Sequence, residues 1–255
     1  MTRRVLIMLL LGFICSIGFA QPSDDNTIPE DIPPAKKKKR SDPYKIRFFL
    51  LDVGLNTYLY DGSFTLPSTP FMSNGYNISD LELDYSRSIN VNVHVYAQRI
   101  NLVKRKLNIM HGLYLDISNY RFENDIRILP NEPQLTVISD TIQYKKNRMT
   151  TTFINVPLML NVVSDPRHPY RSFRMSAGVF AGVLVGSWTK QKSDEFGGQR
   201  ERDDFNLNKF RYGFRGELGF GPLNFYVTYS PISLFREGEG PELLPLNFGF
   251  MLIPF

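Results

Sequence analysis

The residues in this chain with the types and spacing to do chemistry are few. Asp52, Glu82, Asp84, Arg211, Arg215 and Glu217 set carboxylates against guanidinium groups. Facing one another inside a closed wall, such groups form either a salt-bridge network or an acid–base site. The histidines are His94, His111 and His168, and no two have the spacing of a metal-ligating pair. Glu201 with Asp203 and Asp204 presents oxygen ligands of the kind calcium takes, or a solvated acidic loop leading into a strand. There is no Gly-x-Ser-x-Gly nucleophile turn and no phosphate-cradling glycine loop. The reading is of no catalytic set, no metal ligands and no cofactor, with the six charges as an internal network.

Segments with a period of two carry these charges. Between residues 81 and 98 the odd positions read Leu81, Leu83, Tyr85, Arg87, Ile89, Val91, Val93, Val95 and Ala97. The even positions read Glu82, Asp84, Ser86, Ser88, Asn90, Asn92, His94, Tyr96 and Gln98. One face is almost wholly apolar and the other almost wholly polar, the signature of a two-faced strand. The same alternation recurs at residues 49–60, 107–118, 153–162, 176–186, 210–220, 223–230 and 244–252. Most of these segments reach the roughly 9–11 residues that a tilted strand needs to cross hydrocarbon.

Link lengths alternate too. Residues 104–106, 164–172 and 221–222 make short turns, whereas 61–80, 123–147, 189–208 and 231–242 make long loops. Short turns on one side and long loops on the other is the outer-membrane arrangement, with both termini on the short-turn, periplasmic side. The expected fold is therefore all-β: an eight-stranded antiparallel up-and-down transmembrane β-barrel over residues 44–255.

Alternation alone does not say which face is outside, since a secreted ligand-binding barrel would bury the apolar one. Aromatic residues near strand ends, such as Tyr85, Phe210, Tyr229 and Phe250, resemble an interfacial girdle and favour lipid outside. The terminal Phe255 suits a client of the outer-membrane insertion machinery, although Pro254 interrupts the last strand. A mean hydropathy of −0.22 is too polar for a helical bundle in lipid and fits a barrel, in which every second residue avoids it.

The N-terminal end supplies the address. Arg3 and Arg4 precede an apolar run over residues 5–17, and Gly18-Phe19-Ala20 precede Gln21, the pattern of a signal peptide cleaved between Ala20 and Gln21. Cleavage removes Cys15, the single cysteine, and lowers the formal charge from +5 to +3, too small an excess to suggest a nucleic-acid partner. Residues 21–43 read as a disordered Pro/Lys-rich periplasmic lead-in. Its basic run, Lys36 to Arg40, either contacts anionic lipid or an acidic partner or is simply solvated.

Several segments together resemble the PorT-like outer-membrane β-barrel family of Bacteroidetes. They are Asp52-Val53-Gly54-Leu55-Asn56-Thr57-Tyr58, Gln98-Arg99-Ile100-Asn101-Leu102-Val103, Asn119-Tyr120-Arg121-Phe122 and Val156-Pro157-Leu158. Gly178 with Gly182, Asp203-Asp204-Phe205-Asn206-Leu207, Phe210-Arg211-Tyr212-Gly213 and Gly240-Pro241-Glu242 complete the set. The resemblance spans residues 46–255 and implies a barrel in the outer membrane. It also implies an association with protein secretion and gliding machinery.

Eight strands leave no solute channel, and a general porin needs about 16–18. The expected function is structural or partner-binding in the outer membrane. The partners are lipid, the insertion machinery and a protein reached through the long loops or the basic tail. Two alternatives stand beside it: an accessory component of a secretion or gliding apparatus, and a membrane-embedded enzyme built on the lumenal charges.

Overall fold

A computed structural model describes residues 44–71, 76–168, 171–195 and 197–252. The signal cleavage site at Ala20 and Gln21, the lead-in and the terminal Phe255 lie outside the described residues.

Among the described residues there are eleven strands, eight from the alternating segments and three within the long links. They are β1 (Tyr44–Leu59), β2 (Ile89–Val103), β3 (Leu107–Arg121), β4 (Ile126–Ile128), β5 (Val137–Ser139) and β6 (Lys146–Val163), followed by β7 (Phe173–Ser193), β8 (Gly197–Arg202), β9 (Phe210–Phe220), β10 (Leu223–Tyr229) and β11 (Leu244–Met251). Eight of them close a ring in the order β1-β2-β3-β6-β7-β9-β10-β11, and β11 pairs back onto β1. Every pairing is antiparallel. Strand β8 extends the outer end of β7 as a hairpin arm, and β4 with β5 forms a separate small hairpin in a loop.

The apolar face is on the outside. On β9, Phe210, Tyr212, Phe214, Leu218 and Phe220 are all exposed, while Arg211, Arg215 and Glu217 between them are buried. Val156, Leu158, Leu160 and Val162 on β6 and Phe248 and Phe250 on β11 face outward in the same way. In lipid this placement is the stable one, because closure pairs the backbone polar groups and leaves only hydrocarbon against the acyl chains.

Strand phase is not uniform. On β1, Phe49 adopts a φ of 55°, and Phe48 and Phe49 both point outward before Leu50 turns in. Opposite them, Val95 is an extra residue in the β2–β3 ladder, which pairs His94 with Tyr114 and then Tyr96 with Leu113. Such bulges shift side-chain parity by one. Below this level Ala97 and Arg99, rather than Tyr96 and Gln98, face inward. At Val185 a second extra residue shifts the β6–β7 ladder.

The long outer loops pack on one another. Leu66, Ile78, Leu81 and Leu83 from the first loop meet Phe122, Ile126, Leu135 and Val137 from the second, Phe205 and Leu207 from the third, and Leu234, Phe235 and Leu243 from the fourth. Tyr58, Tyr120 and Met149, on inward positions at the outer ends of β1, β3 and β6, join the same cluster from below. Tyr58 and Tyr120 stack with ring centroids 5.8 Å apart, and the Tyr58 hydroxyl donates to the Leu81 carbonyl. This apolar layer caps the outer mouth. At its edge, burial and the bond it donates to Asp140 push the Tyr144 phenol up to about 12.

The cap corrects the reading of residues 81–98 as one strand. The chain there runs through two 3-10 turns (Ile78–Leu81 and Tyr85–Arg87), and β2 begins only at Ile89. The Asp80 carboxylate accepts the Asn77 N–H at 2.9 Å and sets the first turn. Leu81 and Leu83, each 1% exposed, are drawn into the cap rather than toward lipid. Alternation within a folded loop mimicked a strand because both are two-faced. Tyr85 is likewise a loop residue, its hydroxyl donating to the Phe64 carbonyl at 2.8 Å.

Truncating Phe235, 1% exposed within the cap, should cost about 3–5 kcal/mol of cap stability. Phe235→Ala is expected to be cleaved rapidly in its outer loops by added protease while the barrel still shows a boiling-dependent gel shift. Unchanged protection would mean that the cluster does not hold the cap.

Candidate functional site in the lumen

Strands β1, β2, β3, β6, β9 and β10 each project polar residues into the same narrow interior, where water is scarce and every charge needs a partner. Arg215 is the centre of one half. Its Nη2 donates to Asp52 Oδ2 at 2.7 Å and its Nε to Glu217 Oε1 at 2.8 Å. The guanidinium also lies 5.4 Å from the Tyr114 ring centroid and 4.9 Å from that of Tyr226. Asp52, with no exposed surface, is shared with His94, whose Nε2 lies 2.8 Å from the same oxygen. The His94 ring rests against Tyr114 at 5.1 Å.

Arg211 is the centre of the other half. Its Nη2 reaches Asp116 Oδ2 at 2.6 Å, and both Nε and Nη2 donate to the Asn155 amide oxygen at 3.2 Å. The Phe153 ring lies 3.9 Å beneath it. Asp116 further accepts from Asn90 at 2.7 Å and from Ser118 at 2.8 Å. Asn90 in turn accepts the Tyr226 hydroxyl at 2.7 Å, which ties the two halves together. The tie depends on a close backbone approach: Gly54 and Gly249 are cross-strand partners, and a Cβ on Gly54 would stand 2.6 Å from the Tyr226 hydroxyl.

Of the six charges picked out in the sequence, Asp52, Arg211, Arg215 and Glu217 meet in this interior. Glu82 and Asp84 do not. They lie in the first outer loop, where Asp84 pairs with Arg87 at 3.3 Å and with Arg121 at 4.0 Å. Their misplacement follows from the strand that is a loop. Asp116, His94, Asn90 and Asn155 belong to the network although the sequence reading left them out. Parity on β2, β3 and β6 was the available signal.

The remaining candidates disperse. His111 faces outward on β3, edge-on to Tyr96 at 6.2 Å, and His168 pairs with Asp165 at 2.8 Å in a periplasmic turn. Asp203 accepts the Asn131 N–H at 2.7 Å, while Asp204 pairs with Arg236, so these acids fasten the cap. Among the described residues no group of three or more metal-ligating side chains converges.

A carboxylate beside an imidazole and a guanidinium has the composition of an acid–base site, but chemistry also needs room for a substrate. Towards the periplasmic end, Arg99, Arg174, Asn161, Asn224 and Glu217 line a cavity of about 20 Å³, space for a water molecule or two. Arg174 donates there to the Gly221 carbonyl at 2.6 Å. Arg99 faces inward only because of the bulge at Val95.

Arg215→Met would leave Asp52 and Glu217 buried without their shared cation, a loss of about 3–5 kcal/mol. Adding Asp52→Asn and Glu217→Gln to it should restore most of that stability. Urea titration in micelles, followed by the boiling-dependent gel shift, measures both. Equal stability of the single variant and the parent would contradict a structural role for the network.

The geometry agrees with what comparison with known proteins returns. Residues 49–235 match the family model described as outer membrane protein beta-barrel domain. No curated protein matches the chain. The match covers well over half of the sequence, running from within β1 to just past β10 and taking in three of the four cap loops whole: the chain belongs to the outer-membrane β-barrel family, and its place is the outer membrane.

Proposed function

We propose that this protein is a sealed membrane scaffold that presents its outer cap to a protein partner and conducts no solute. The observation that carries this reading is the single apolar layer shared by all four outer loops. Loops that only needed to connect strands would be short or separate. These instead share one apolar layer, held by buried side chains such as Leu135, Phe205 and Leu207. The lumen beneath it is crossed by the ion pairs of Arg211 and Arg215, which supports a wall that does not conduct.

A second reading, accessory component of a secretion or gliding apparatus in a member of the Bacteroidetes, draws on the PorT-like resemblance. Several of the resembling segments contribute to the cap, among them two from the third and fourth loops. In Asp203-Asp204-Phe205-Asn206-Leu207, the Asn206 amide donates to the Glu132 and Pro133 carbonyls at 3.2 Å and to Glu239 at 3.0 Å, joining three loops. Gly240-Pro241-Glu242 precedes Leu243, which has no exposed surface.

Two measurements separate these readings. Planar-bilayer recordings of the refolded chain should show no conductance steps; stable steps would end the sealed-scaffold reading. In cells, replacing residues 129–136 by a short Gly-Ser link should abolish cross-linking to the partner while leaving the barrel in the membrane. If export of secreted proteins falls together with the cross-link, the apparatus reading holds. Normal export with a lost cross-link leaves the scaffold alone.

A further inference from the structure

Strands β6 and β7 have 18 and 21 residues, well beyond the length that crosses hydrocarbon. Their outer ends, with β3 and β8, therefore stand as a wall above the acyl region. The outward face of this wall continues the lipid-facing face below it. On β3 the outward series runs Leu115, Ile117, Asn119, Arg121; on β6 it runs Ile154, Thr152, Thr150, Arg148, Lys146. On β7, beyond the bulge at Val185, it runs Trp188, Lys190, Lys192.

The ladder register aligns these positions. Arg121 is opposite Arg148, Arg148 opposite Lys190, and Lys190 opposite Arg200. Four cations thus stand in one row across four adjacent strands, a span of roughly 14 Å at ~4.8 Å per strand. One step further out Lys146 faces Lys192, and one step toward the membrane Trp188 faces Arg202. Trp188 is the single tryptophan of the chain, at the height where aromatic residues mark the interface, and the Arg200 guanidinium lies 4.4 Å over its ring.

Like charges directly opposite on neighbouring strands repel. The carboxylates that approach this surface do so at its borders: Asp84 stands 4.0 Å from Arg121, and Asp194 pairs with Lys145 at 2.7 Å. Among the described residues, Arg148, Lys190, Lys192 and Arg202 have no carboxylate partner. The described residues thus leave the row without its counter-charge, and the row lies where the headgroups of the outer leaflet begin.

We propose that the outward row Arg121, Arg148, Lys190 and Arg200, with Trp188 beneath it, binds the phosphate groups of a phosphorylated glycolipid of the outer leaflet. Trp188 seats against the sugar–acyl boundary, and the guanidinium groups take phosphate oxygens in paired hydrogen bonds. The row is wide enough for a headgroup that carries more than one phosphate. This inference concerns the barrel wall and is independent of the partner proposed for the cap.

The test uses the full chain refolded in zwitterionic micelles and moved into phosphatidylcholine vesicles doped with lipid A, either bisphosphorylated or dephosphorylated. Native mass spectrometry reads retained lipid, and Trp188 emission reports contact. The parent should retain the bisphosphorylated form, lose it as salt rises, and ignore the dephosphorylated form. Arg148→Gln/Lys190→Gln/Arg200→Gln should weaken retention at least about tenfold. Lys104→Gln/Arg105→Gln/Lys106→Gln, on the opposite rim, should not.

In zwitterionic micelles the row variant should melt higher than the parent, because repulsion is relieved, yet gain nothing from phosphorylated lipid. Should the triple variant fail to refold, Lys190→Gln alone is expected to give a smaller loss in the same direction. Equal retention of the two lipid A forms, or undiminished retention by the variants, overturns the proposal. So does soluble polyphosphate that binds as tightly as the lipid, since the row would then read a free polyanion.

Discussion

Everything in this molecule follows from the rule that a backbone in hydrocarbon must satisfy its own hydrogen bonds. A sheet can obey it only by closing, and eight strands close on a lumen too narrow for bulk water. Closure then dictates the inside as firmly as the outside. Side chains at every second position are forced inward with little solvent to meet them, so Arg211 and Arg215 must find Asp116, Asp52 and Glu217 across the interior. The charge network is thus a product of the wall rather than an addition to it. An aliphatic filling would remove the need for paired charges, but the lipid-facing and lumen-facing sides would then look alike. Alternating polarity is what gives each strand its register.

The outer cap answers a different need. The barrel ends in water, and there the described parts of its loops pack on one another. An apolar core above the mouth, continuous with Tyr58 and Tyr120 of the wall, makes the loops behave as a small domain mounted on the barrel. Buried contacts that cross all four loops couple them, so a change in one is felt in the others.

The sequence revealed the ring of strands because a period of two needs no knowledge of neighbours. The strands β9, β10 and β11 were legible almost to the residue, since each is bounded by a turn and uninterrupted. The errors arose where period and phase part company. Residues 81–88 alternate, but the capping of Asn77 by Asp80 and the burial of Leu81 and Leu83 bind them to the loops, and Glu82 and Asp84 went with them. Arg99 was hidden for the opposite reason, because an extra residue at Val95 reverses the faces of a strand that the pattern treats as uniform. The extensions of β6 and β7 above the membrane fall outside the alternating segments, in or beside the long links 123–147 and 189–208, because their outward positions carry cations rather than hydrocarbon. Pairing across strands, which no single segment contains, was beyond reach, and both the lumenal network and the cation row are pairings.

The phase reversal at Phe49 and Val95 bears on how such a wall can change over generations. The two residues lie at the same level on adjacent strands, and β1 and β2 resume their pairing on either side of them. A deletion at one position alone would turn the lower half of its strand inside out, carrying Arg47 or Arg99 into the acyl chains. Removing both together would keep the two strands in step with each other while still setting them against β3. A change of length in this part of the wall is therefore tolerated only where both strands and their neighbours shift together, and elsewhere it must fall in the loops.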